Sequence, residues 1–181
     1  IVLMRTLLRS VHGIGPEIVD FDVRERIGTG AGAAQPNEWP DAMLMIGDKV
    51  VTESPPAVRY PHQMDMGEAW KDLTGLPFVY AMWMCRPDRV EDPLVRRAAS
   101  ALDRQRRHNR TRLDWIVTRR APERGWPVDL ARRYLGSMLR YEVDDRARES
   151  VEQFFDRAHA CGLLDHRLET TWADGARAAA S

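Results

Sequence analysis

The apolar positions of this chain change period several times, and each change marks a predicted element. Residues 1–12, "IVLMRTLLRSVH", are amphipathic and helical in pattern, with Gly13 and Pro16 placed to stop the helix. Residues 16–23, "PEIVDFDV", alternate as a short strand does, and residues 41–48, "DAMLMIGD", read as a second, buried strand ending in a Gly-Asp turn. A proline-punctuated connection, residues 52–63, follows. Asp65 is then a good N-cap, with Glu68 at capping-box spacing and Met66, Trp70 and Leu73 able to share one face. Gly75 can take the left-handed conformation that ends a helix, and Pro77 prevents its resumption. The next eight residues, 78–85, "FVYAMWMC", are all apolar. That is far short of the roughly 20 residues of a membrane span, and it suits a strand buried on both faces, as in parallel sheets covered by helices.

Beyond residue 87 the pattern is helical. Residues 93–117 open with Pro93 in a favourable first-turn position and carry a partial stripe of Val95, Ala98, Ala99, Leu102, Leu113 and Ile116. A helical pattern returns at residues 128–139. A last helix starts at Asp144 or Asp145, buries Val151, Phe154, Phe155 and Ala158, and ends at Gly162. The Ala- and Arg-rich tail from Asp165 is expected to fray. No internal repeat is present. Periodicity alone therefore predicts an α/β domain.

Composition narrows the picture. A length of 181 residues allows one substantial core or two small lobes. Acidic and basic residues balance at 27 each, so no global field recruits nucleic acid or an anionic membrane. The basic residues are nearly all Arg, with Lys49 and Lys71 the exceptions. Cys85 and Cys161 are isolated and form neither a disulfide framework nor a metal motif, which fits a reducing cytoplasm. No signal peptide or transmembrane segment is visible. The chain opens at Ile1 without an initiator Met, directly inside a helical pattern with no cap before it, so upstream sequence is expected to be missing.

Candidate chemistry is sparse. Gly28, Gly30 and Gly32 invite a phosphate-cradle reading, but the spacing is not G-x-G-x-x-G and the preceding residues make a poor buried strand, so a structural loop is favoured. The arginines 96, 97, 104, 106, 107, 110 and 112 spread around a helix without interleaved aromatics, as a solvated face does. The five histidines lack metal-ligand spacing; His62, in a loop, is the one candidate general base among them. Asp48 and Asp65 lie at the edges of predicted elements, where α/β proteins place ligands, although an N-cap is the favoured reading of Asp65. Trp70 and Trp83 read as core. No nucleophile–base pair and no metal cluster emerges.

Two segments carry a resemblance. "DAMLMIGD" and "DMGEAWKDLTGLPFVYAMW" resemble the chorismate dehydratases of the futalosine route to menaquinone, which show a strand ending I-G-D and then D-L-G-E-x-W followed by T-G-L-P-F-V-F-A-x-W. Met66 stands here for the usual Leu and Tyr80 for a Phe. "IVLMRTLLRS" is similar to the family helix that follows a Ser-Arg-Thr-Ser motif, and the C-terminal helices match loosely. The sister dihydroxynaphthoate synthase shares the fold but usually reads T-G-L-P-L-P-L-G at this place.

The resemblance implies a two-lobed, type 2 periplasmic-binding-protein-like α/β fold, N-terminally incomplete here. Residues 1–64 would be most of the second lobe, 65–86 the capped helix and crossing strand, and 87–181 the return to the first lobe with the C-terminal helices. The implied activity is a hydro-lyase reaction on a dicarboxylate, chorismate, without cofactor or metal and without nucleic-acid or membrane partners, in the cytoplasm. Asp48, Asp65, Gly67, Trp70, Thr74 and Gly75 would stand at or near the substrate cleft, with Asp65 and Trp70 the best candidates for its wall. The polar catalytic residues would lie upstream of Ile1. A solute-binding or sensor domain on the same scaffold is the rival reading.

Overall fold

The structure, a computed structural model, describes residues 1–21, 40–47, 49–52 and 58–173. These residues are mainly helical, and no segment among them joins a strand ladder. They divide into two compact units, one comprising Ile1–Gly75 with Arg157–Asp165 and the other Leu76–Asp156 with His166–Ser181.

In the first unit α1 (Val2–Leu7) passes into a π-helical turn, Leu8–His12, that ends where Gly13 adopts φ 65°. A left-handed residue at this place costs glycine little, and the turn is closed by the Ile14 N–H donating to the Leu8 carbonyl at 3.1 Å. After the short α2 (Lys49–Thr52) comes α3 (Met66–Thr74). Helices α1 and α3 pack together, and Thr6, Leu7 and Trp70 are buried there. The Arg9 guanidinium donates to the Cys161 carbonyl, and Ser10 Oγ lies 3.6 Å from the Cys161 sulfur.

In the second unit α4 (Pro93–Thr111) is the longest helix, capped by Asp92, whose side chain accepts from the Leu94 N–H at 2.8 Å. Arg112, at φ −120° and ψ 17°, separates it from α5 (Leu113–Arg120). A turn, Pro122–Arg124, leads through a left-handed Gly125 to α6 (Val128–Arg133), which continues as the π turn Tyr134–Met138. Val117, Ala121 and Ala131 form a small core, flanked by Leu113, Trp126, Val128 and Leu135. Gly136 belongs to this packing, because a Cβ there would sit 2.9 Å from a Leu113 methyl. α7 (Asp145–Ala160) begins where Asp144 accepts from the Ala147 N–H at 2.8 Å. It buries Ala147, Ser150 and Val151. The chain then turns at Gly162, φ 64°, where the sequence places the helix end.

Three predicted strands are not seen. Residues 16–21 and 41–47 are non-helical without a ladder, and residues 22–23 and Asp48 lie outside the described residues. Residues 78–85 depart furthest from expectation. Phe78 stacks edge-on to Phe154 at 5.3 Å and to Tyr80 at 5.0 Å, but Tyr80, Trp83 and Met84 are 63, 83 and 85% exposed. A strand is defined by hydrogen bonds to a second strand. The apolar run supplies one side of that contract, and no described segment supplies the other. The predicted helix over residues 93–117 is split at Arg112, and its proposed stripe is not buried along α4. The glycine-rich loop at residues 28–34 lies outside the described residues.

Candidate functional site

Five of the six candidate site residues fall on α3 and its two ends. Asp65 is extended, φ −76° and ψ 123°, and its Oδ1 accepts from the backbone N–H groups of Gly67 at 2.8 Å and Glu68 at 2.9 Å. Its own carbonyl accepts from the Ala69 N–H at 2.9 Å, so side chain and backbone both start the helix. Thr74 Oγ1 donates to the Trp70 carbonyl at 2.7 Å, which ties the last turn to the one before. Gly75, at φ 73° and ψ 1°, ends the helix, and its N–H donates to the Lys71 carbonyl at 2.7 Å. Trp70 is wholly buried. Asp48, the sixth candidate, lies outside the described residues.

The Asp65 carboxylate is engaged by two N–H donors, which suits a cap, and the Trp70 side chain is buried. The α3 helix is thus terminated at both ends, by the Asp65 side chain and by the left-handed Gly75. His62 is exposed in the preceding connection. Among the described residues no group of three His, Cys, Asp or Glu side chains is placed to hold a metal ion.

The groups with displaced proton affinities lie elsewhere, on α4, on α6 and in the connection before α7. The hydrogen bond from Arg106 lowers the Asp103 carboxyl below its ordinary value, with Arg107 adding to the attraction and partial burial opposing it. Arg106 is raised in return by Asp103 and then by Glu142, and Arg132 by its bond to Asp114 at 2.8 Å. Tyr141 is raised by desolvation, with Tyr134 adding to it.

Sequence reasoning missed Thr6 and the Arg9–Ser10–Cys161 cluster. Thr6 is fully buried with its hydroxyl unpartnered among the described residues, and in the sequence it is one more position of an apolar helix. Cys161 meets Ser10 across 151 residues, a separation at which local pattern carries no signal.

The chain belongs to the menaquinone biosynthesis family, whose model matches residues 1–160. Among curated proteins it is similar to a chorismate dehydratase from Thermus thermophilus, 27% identical over 177 residues, a match covering 90% of this chain and 59% of that protein. The chain thus spans about three-fifths of the length of the relative it matches. No solved structure matches it. Among the described residues no helix is long and apolar enough to cross a membrane.

Proposed function

We propose that this chain acts in menaquinone biosynthesis as part of a chorismate dehydratase, eliminating water from chorismate to give 3-[(1-carboxyvinyl)oxy]benzoate. The family match over residues 1–160 carries the reading, and the name of the Thermus relative narrows it to this reaction. The doubly capped α3 supports it locally, since Asp65, Gly67, Trp70, Thr74 and Gly75 are the positions at which the chain carries the dehydratase motif.

The reaction suits a protein with few reactive side chains of its own. One ring proton and one ring hydroxyl leave together as water, and the product ring is aromatic, so the step is strongly downhill. The protein must hold a dicarboxylate, orient its ring and assist the two departures. A carboxylate of the substrate itself can serve as the base. In this reading the complete enzyme is a two-lobed α/β protein of the cytoplasm, with residues 1–64 in the second lobe and residues 87–181 returning to the first. Residues 78–85 are the strand near the crossing, and α3 with Asp48 borders the cleft.

The test is to incubate the full-length gene product with chorismate, without added metal, and to follow it by mass spectrometry. A product lighter by one water, with the absorbance of a substituted benzoate, is expected. Unchanged chorismate from folded protein would overturn the reading and leave the sister enzyme or a solute-binding protein.

A further inference from the structure

The longest helix among the described residues, α4, has little cover. None of the 19 residues of α4 is buried, although a helix in a folded protein is held mainly by packing an apolar face. Leu94, Arg97, Ala98, Ala101 and Arg104 recur at spacings of three and four and, with Arg96 and Ser100, line a shallow depression along it. Leu94 is 67% exposed.

The arginines of α4 divide into a paired and an unpaired set. Arg96 pairs with Glu91, Arg106 and Arg107 with Asp103, and Arg106 and Arg110 with Glu142. Arg97 and Arg104, lining the depression, pair with no carboxylate among the described residues. They stand seven residues apart, two helical turns, or about 10.5 Å along the axis.

The complement lies on α7. Its buried side holds Ala147, Ser150 and Val151, and its opposite, exposed side holds Asp145, Glu149 and Glu152. These three acids also lack an ion-pair partner among the described residues, and Asp145 and Glu152 are again seven residues apart. Both faces belong to the same unit, where Glu142, just before α7, pairs with Arg106 of α4. One unit therefore carries two unpaired helical faces of opposite sign and equal spacing. The zero formal net charge leaves no overall repulsion between copies.

We propose that two copies of this chain associate through these faces. Arg97 and Arg104 on α4 of one copy meet Asp145, Glu149 and Glu152 on α7 of the other, with Leu94, Ala98 and Ala101 covered by the contact. In a twofold pair the contact is made twice. Exposed ion pairs are individually weak and screened by salt, so the association is reversible and salt-sensitive.

Sedimentation velocity of the protein at about 0.05 M and about 0.5 M NaCl tests this, because the screening length shortens several-fold between them. The expected result is a dimer at low salt whose association constant falls at least tenfold at high salt. Arg97→Glu with Arg104→Glu abolishes the dimer, as does Asp145→Arg with Glu152→Arg. Combining all four substitutions restores it. Circular dichroism checks that each variant folds, and Asp145→Asn with Glu152→Gln replaces the reversed pair if that one does not. A monomer at low salt overturns the proposal, as does a dimer indifferent to salt or to the arginine reversals. Failure of the four-fold variant to reassociate overturns α7 as the partner of α4.

Discussion

Asp65 shows how much structure one side chain can specify. Its two bonds to the N–H groups of Gly67 and Glu68 satisfy donors that the helix cannot satisfy internally. Asp65→Ala removes both and should lower stability by about 0.5–2 kcal/mol, measured as a drop in the urea midpoint. The position was readable in the sequence because a cap is a local device: the acid, the spacing to Glu68 and the closing Gly75 all lie within eleven residues. Trp70 was readable only in part. Its place on a packed face followed from periodicity, but whether it touches substrate or core depends on what stands opposite, and among the described residues it is fully buried. Asp65 caps α3 and Trp70 is buried on it, while Thr6, buried at the α1–α3 packing, carried no signal at all.

At the level of elements, helices were legible and strands were not, for a physical reason. A helix satisfies its backbone within itself, so the cap at Asp65, the helix start at Asp144 and the glycine ends at Gly13, Gly75 and Gly162 all appear where the residues place them. A strand needs a distant partner strand, and residues 78–85 join no ladder among the described residues. The break at Arg112 escaped notice because neither glycine nor proline marks it. The surface of α4 holds an electrostatic device that shows itself on acidification. Because Arg106 lowers the Asp103 carboxyl, the stabilisation it provides is present above the ordinary value of 3.8 and is lost as pH falls through the lower folded value. The melting temperatures of the protein and of Asp103→Asn should therefore differ at neutral pH and converge as pH drops from about 5 to about 2. A constant difference across that range would show that the bond to Arg106 is not the source.

For the whole molecule the feature with the widest reach is the exposed run at residues 78–85. Eight uncharged residues, half of them of high strand propensity, without an internal proline and with Trp83 and Met84 open to solvent, form a ready template for intermolecular pairing. Pro77 and Arg86 bracket it as gatekeepers, at positions that limit the run without covering it. The concentration at which the protein stays clear should therefore rise with Trp83→Lys, read by light scattering during storage. The same run answers to salt in the opposite sense from paired charges, since salts excluded from protein surfaces strengthen apolar contacts. Cloudiness that grows with added sulfate is then the signature of residues 78–85 finding one another, and the shelf life of the purified protein becomes a direct reading of how well that strand is covered.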